Sequence, residues 1–386
     1  IGSYFPRYIY QRQFLHILGY LFEQALTIMK AAVVPISIKD NYLTEIKDIP
    51  KPEIKDDQIL IKAKACAINP IDWKHIVYQM SKPGDVPGSD VSGIVEQVGA
   101  NVTNFKKGDL VSSFVMGNMS PMSGAFAEYV AAFPQATIKY DHDLDNPPKA
   151  KASMIDSFEG AASITMGLTT VAQSFSHSLN IPKHKKPGDS ILIWSGATAT
   201  GIVAIQVAKL VYNLKVITTA SPRNHEYLKE LGADFTLDYK DPKIVDKLKL
   251  LGHIKFGLDT IATPQTFQKL YDATQGTPEV YLDSLLGMDG NSIKTDPARE
   301  TTVHWGHTMG YLCVLKTKTL GSTTYVQSTE LLNDYNKWWE NVMPTIIDKI
   351  KHANLKILPN GLESANEGLQ MSRESKVSGE KIVFKI

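Results

Sequence analysis

From Met29 onward the apolar positions fall in short runs bounded by turn residues. Lys30–Pro35 and Gln58–Cys66 read as strands, with turn signals at Ile49–Pro52 and Asp56–Asp57. Val91–Val98 is entered through Pro87-Gly88 and left at Gly99. Leu110–Val115 follows the turn Lys107-Gly108-Asp109, and Ala125–Val130 follows Gly124. Strands this short and this closely spaced predict a small β-barrel or sandwich. Near Glu159 the period changes, and Glu159–Ser178 reads as a helix.

After the turn Pro187-Gly188-Asp189 the pattern alternates. Strands are predicted at Ser190–Ser195, Lys215–Ala220, Phe235–Tyr239, Phe256–Thr260 and Glu279–Leu285. Helices are predicted at Gly201–Tyr212, Arg223–Leu231, Pro242–Leu250 and Pro264–Gln275. Such alternation predicts a doubly wound parallel sheet. The near-continuous apolar run Ile191-Leu192-Ile193-Trp194 suits a strand buried on both faces. Leu286–Leu320, including His304-Trp305-Gly306-His307, carries no assignable pattern. Asn333–His352 reads as helical and Lys381–Ile386 as a closing strand.

Residues 1–28 stand apart. They are aromatic-rich, with Arg7 and Arg12 against the single acid Glu23, and Phe14, Leu15, Leu18 and Leu21 recur near helical spacing. One expectation is an acid-poor mitochondrial presequence. The other, which we favour, is a fragment or upstream translation, with the start at Met29. The corresponding location is cytoplasmic, or mitochondrial if the presequence is genuine.

Composition narrows the function classes. The 386 residues carry 41 Lys+Arg against 40 Asp+Glu, a net charge of +1, which gives no global field for steering toward nucleic acid. No apolar run is long enough to span a membrane. Cys66 and Cys313 are the only cysteines, too few for a disulfide framework or a four-thiolate zinc site.

The first β/α turn of the alternating region carries the strongest chemistry. Gly196-Ala197-Thr198-Ala199-Thr200-Gly201 links a predicted strand to a predicted helix. There the free N–H groups and the helix dipole favour a pyrophosphate. The first and third glycines of the dinucleotide fingerprint are present, but Thr198 replaces the middle one. Thr198 and Thr200 offer hydroxyl donors instead. NAD-selective turns place an acid about 20 residues further on, and Tyr212 through His225 contains none. Ser221 and Arg223 at that point suit the 2′-phosphate of NADPH. Tyr239 reads equally as a neighbour of that phosphate or the adenine and as a partly buried strand aromatic.

These residues, with Asn69-Pro70-Ile71-Asp72-Trp73-Lys74, Pro87–Gly93, Gly124–Tyr129 and Gly160–Thr170, resemble the medium-chain dehydrogenase/reductase superfamily in its zinc-free, quinone-oxidoreductase-like branch. Within that branch they look most like fungal trans-acting enoyl reductases and aldehyde-reducing members. The resemblance covers Met29–Ile386. It implies an α/β fold in two parts, a GroES-like β-barrel catalytic domain (29–160 and 335–386) and a doubly wound Rossmann NADPH-binding domain (161–334), with the active site in the cleft between them. Family members are often dimers joined through the Rossmann sheet edge, so a homodimer is among the expectations.

Zinc members of the superfamily carry a Cys where this chain has Asn69, a His-Glu pair where it has Ser89-Asp90, and a further Cys near Glu159–Gly167. With all three lost, no metal site is expected. Ser89 and Asp90 are then expected to bond turn backbone near Gly88. The resemblance places Asn69 and Thr169 at the nicotinamide end. It matches Lys74 to a proposed active-site lysine, an assignment held level with a plain surface lysine. His75 and Tyr78 are weaker proton-donor candidates, and water is another source. Phe114–Met122, with Met116, Met119 and Met122, reads as acceptor-pocket wall or, slightly preferred, core filler. The expected activity is NADPH-dependent hydride delivery to a small electrophilic acceptor: an enone or enoyl C=C, a quinone or an activated aldehyde. The competing expectation is a catalytically weak NADPH-binding protein with a binding or trafficking role.

Overall fold

The computed structural model describes residues 28–38, 42–120, 122–320 and 323–386. The proposed leader therefore lies outside the described residues up to 27, and Ile28 already opens the first strand. Among the described residues no helix is long and apolar enough to cross a membrane.

Two main sheets organise the chain. The first is seven-stranded and mixed, in the order β16-β17-β3-β4-β5-β7 with β6 on β3. Its members are β3 (Ile59–Ala67), β4 (Asp90–Val98), β5 (Leu110–Phe114), β6 (Tyr129–Ala132), β7 (Thr137–Tyr140), β16 (Asn354–Leu358) and β17 (Glu380–Lys385). A two-stranded antiparallel ribbon of β1 (Ile28–Val33) and β2 (Glu45–Pro50) adjoins it through Ala32 N–H to the Phe126 carbonyl. The second sheet is six-stranded and parallel in every pairing. It holds β8 (Ser190–Trp194), β9 (Lys215–Thr219), β10 (Phe235–Leu237), β11 (Phe256–Asp259), β12 (Glu279–Ser284) and β13 (Thr302–Trp305). A short hairpin, β14 (Thr317–Leu320) with β15 (Thr323–Val326), stands apart from both.

The order β10-β9-β8-β11-β12-β13 is that of a doubly wound dinucleotide fold, with the strand order reversing at β8 and β11. Such a reversal opens a crevice at the carboxyl ends of the strands. The apolar run of β8 is buried along its length, as both-face burial requires. The expected fold class is present: a mostly antiparallel barrel-like sheet beside a parallel one.

Several local expectations change. The predicted helix 159–178 is two helices, Phe158–Ala162 and Thr165–Gln173, followed by a wide turn Ser174–Ser178. Ser163 Oγ donates to the Gly160 carbonyl at 2.7 Å, diverting the backbone acceptor where the helix breaks. The helix predicted from Asn333 begins at Thr329, capped by Ser328, and is interrupted after Asn341 near Pro344. The expected domain boundary at 334/335 thus falls inside that helix. Ala125 and Phe126 bond to the Gly88 and Pro87 carbonyls, so the strand foreseen from Ala125 starts at Tyr129. The unassigned His304-Trp305 forms the edge strand β13, parallel to β12.

Candidate active site

The cofactor turn is built where the sequence places it. β8 ends at Trp194, and Ser195 adopts a left-handed φ of 65°, a conformation costly for a residue with a side chain and typical of functional turns. A Cβ on Gly196 would stand 2.2 Å from Thr218 Oγ1. One on Gly201 would stand 2.7 Å from Gly196 Cα and from the Ser195 carbonyl oxygen. Both glycines are therefore dictated by close approach. Thr198 caps the helix Ala199–Leu210: its Oγ1 accepts from Gly201 N–H at 3.0 Å and donates inward, toward Thr260 Oγ1 at 2.9 Å and the Ser195 carbonyl at 3.1 Å. That hydroxyl is engaged with partners inside the turn, where the expectation had it donate to a phosphate. The N–H groups of Ala199 and Thr200, in the first turn, have no carbonyl one turn back to bond.

Ala197, Thr198, Ala199, Ser221, Arg223 and Tyr239 share one wall of a cleft of about 570 Å³. Gly196, Thr200 and Gly201 shape the turn behind it. Arg223 is exposed on the turn Pro222–Asn224. Tyr239 lies just past β10 rather than within it, half-buried against the sheet's outer core. The facing wall comes from the other sheet: Ile68 and Pro70, with Val377, Ser378 and Gly379 leading into β17. Asn69, Thr169 and Lys74 do not line this cleft.

Asn69 sits deeper. It caps the helix Pro70–Val77 and is 5% exposed. Its Nδ2 donates to Asp90 Oδ2 at 2.8 Å, and its Oδ1 accepts from Lys381 Nζ. Lys381 also pairs with Asp90 at 3.1 Å, and Asp90 Oδ1 accepts from Met166 N–H at 2.7 Å. Asp72 accepts from Asn69 N–H and from Ser89 Oγ, each at 2.7 Å. Burial pushes the Asp72 carboxyl up to about 7, against the opposing pull of these bonds and of Lys381. Ser89 and Asp90 are structural, but they bond these side chains and Met166 rather than the turn at Gly88. Thr169 is fully buried on the helix Thr165–Gln173.

The resemblance implies that this is the centre where zinc members carry ligands; here Asn69, Ser89 and Asp90 offer an amide, a hydroxyl and one carboxylate, a poor donor set for zinc. One amide and one carboxylate face each other with an ammonium bonded to both, so the cationic role is already filled by Lys381. Among the described residues no cluster of three or more His, Cys, Asp or Glu could hold a metal. Lys381 is not among the expected site residues: a lysine at the start of the apolar run Ile382-Val383-Phe384 reads as exposed, and only the tertiary contact with Asp90 buries it.

The candidate proton donors separate. Lys74 is half-buried, with its ammonium 5.9 Å from the Trp73 ring centroid and its pKa lowered by burial. His75 is 2% exposed, its Nε2 has no hydrogen-bond partner, and burial, with the charge of Lys318 second, lowers its pKa to about 4. Tyr78 is exposed. Phe114 and Met116 pack in a buried cluster with Met309, Tyr311 and Leu312, whereas Met119 faces solvent.

Comparison with known proteins gives a consistent result. Residues 55–142 match the alcohol dehydrogenase GroES-like domain, and residues 199–298 match the zinc-binding dehydrogenase family. An uncharacterized protein of Saccharomyces cerevisiae is 31% identical over 370 residues, covering 92% of this chain and 97% of its own. A trans-enoyl reductase of Alternaria alternata is 33% identical over 354 residues, covering 89% and 95%. The structure of the quinone oxidoreductase from Coxiella burnetii superposes with a TM-score of 0.64 at 26% identity, over 93% of this chain and 100% of that one.

Proposed function

Since this chain belongs to the medium-chain dehydrogenase/reductase superfamily, in its quinone-oxidoreductase-like branch, we propose that it is an NADPH-dependent, zinc-independent reductase of small electrophilic acceptors. Family membership supports a nicotinamide-dependent oxidoreductase; the cofactor preference, the metal independence and the acceptor are our reading.

The carrying observation is the cleft wall. A glycine turn at a helix N-terminus, Ser221 and Arg223 meet there, on a strand end without an acid. In this reading the N–H groups of Ala199 and Thr200 hold the pyrophosphate, and Ser221 and Arg223 hold the 2′-phosphate by charge-assisted bonds. Tyr239 packs beside them. The resemblance sets Asn69 and Thr169 at the nicotinamide end; the Asn69 amide is fixed by Asp90 and by Lys381, which does line the cleft. The bound cofactor supplies a hydride.

The centre supports this choice of acceptor class. With Lys381 where a Lewis acid would act, nothing there polarises an unactivated alcohol. Hydride delivery to an already electrophilic carbon needs only orientation and a partner for the developing oxyanion. Lys74 is the sequence-based choice for that partner. The trans-enoyl reductase similarity favours a conjugated C=C as acceptor.

The test is NADPH oxidation by the full chain with an α,β-unsaturated aldehyde, its saturated analogue and a quinone, with products identified. Turnover of the unsaturated aldehyde to the saturated one is expected. Tight NADPH binding with no turnover of any acceptor would favour a binding protein instead.

A further inference from the structure

The segment that carries no sequence pattern, Leu286–Leu320, sets a buried tyrosine against His75, next in the chain to Lys74. A short turn, Gly310–Cys313, sets Tyr311 between two rings of the barrel side. His75 stacks on it at 6.3 Å with 16° between planes, and Phe114 tilts against it at 5.7 Å. Tyr311 is 5% exposed, and its Oη has no hydrogen-bond partner. The same holds for His75 Nε2. Buried polar atoms are nearly always paired, and leaving one unpaired is destabilising. Two such atoms on stacked rings point to a polar ligand atom.

A cation completes the group. Lys318 on β14 is 9% exposed and holds its ammonium 4.4 Å from the Tyr311 ring centroid. Among the described residues it pairs with no carboxylate. A buried ammonium without an anion is unfavourable, so its field favours negative charge nearby. The location agrees with the proposed reaction. The Tyr311 cluster packs on Ile71 and Met166, from the helices that carry Asn69 and Thr169. A Cβ on Gly310 would come within 3.6 Å of Thr170 Oγ1.

We propose that Tyr311, assisted by Lys318, is a catalytic residue that donates a hydrogen bond to the acceptor oxygen and stabilises the negative charge formed there. This rests on the reductase reading above. Hydride adds to the electrophilic carbon and the π electrons move onto the oxygen. With an aldehyde, the phenolic proton passes to that oxygen, and the phenolate, held by the Lys318 ammonium, is reprotonated from water. With an enone, the enolate oxygen is held while the α-carbon takes its proton from water. Burial and the Asp72 charge raise the phenol pKa, keeping it a donor at neutral pH. The other titratable groups nearby are neutral His75 and Lys318, whose pKa burial lowers.

The experiment compares wild type, Tyr311→Phe, Lys318→Met and Lys74→Met. It measures turnover, NADPH binding, and titration with 4-nitrophenolate, a chromophoric oxyanion. For Tyr311→Phe the expected result is a fall of about 100-fold in kcat, unchanged NADPH binding and lost nitrophenolate binding. Lys318→Met should show a smaller fall in kcat and the same loss of the anion. Wild-type kcat and nitrophenolate binding retained in Tyr311→Phe would overturn the proposal, as would both effects appearing only in Lys74→Met. If wild type turns over no acceptor, the reductase reading fails. The nitrophenolate titration then still decides the site: binding that depends on Tyr311 supports an oxyanion site, and no binding to wild type refutes it.

Discussion

Lys381 Nζ lies 3.1 Å from Asp90 Oδ2, and neither side chain is more than 4% exposed. Asn69 bridges the two, accepting from the lysine and donating to the aspartate. An internal ion pair thus fixes which way the Asn69 amide faces.

Removing one member leaves the other charged and unpaired. Lys381→Met is expected to cost about 3–5 kcal/mol in unfolding free energy, measured by urea denaturation. The double variant Lys381→Met/Asp90→Asn should recover part of that loss. If the double variant is no more stable than the single one, the pair is not what holds this centre.

Gly201→Ala tests the turn. The added Cβ would collide with the Ser195–Gly196 backbone, at 2.7 Å, and backbone cannot step aside cheaply. NADPH affinity should fall about tenfold or more. Unchanged affinity in a fluorescence titration would mean that this turn does not cradle the cofactor.

Arg223→Glu tests the phosphate assignment. A carboxylate beside the 2′-phosphate should weaken NADPH far more than NADH. Equal changes in the two titrations would remove Arg223, and with it the NADPH preference, from the account.

His75 gives a pH signature. Its folded pKa, about 4, lies below the ordinary 6.5, so the folded chain binds fewer protons between those values than the unfolded chain. The stability it contributes is fully present above pH 6.5 and is lost as pH falls toward 4, by at most about 3 kcal/mol. In His75→Phe, which keeps a ring against Tyr311, the decline over that window should be shallower. Parallel pH curves for the two proteins would contradict the assignment.

The readable parts of the sequence were those governed by period and local chemistry. The apolar run of β8 announced a buried parallel strand, and Gly196 and Gly201 announced a turn too tight for a Cβ. Tyr239 follows Ser221 and Arg223 only after an intervening helix and strand, yet strand alternation alone brings the two strand ends to one cleft. What stayed hidden depends on tertiary contact. Lys381 looks like one more surface lysine until β17 inserts beside β3 and buries it against Asp90. Tyr311 and Lys318 sit in a short turn and a hairpin strand, where no periodicity marks which face is inside. Thr198 reads as a phosphate donor because its alternative partner, Thr260, is 62 residues away.

The central claim is hydride transfer to carbon without a metal. It is tested most directly with NADPH deuterated at C4 on either face, using protein dialysed against a chelator and an α,β-unsaturated aldehyde as acceptor. The expected result is deuterium on the β-carbon of the saturated product, from one face only, at the rate of the undialysed protein. Bound NADPH with no deuterium in any product, or transfer that stops on chelation and returns with zinc, would contradict it.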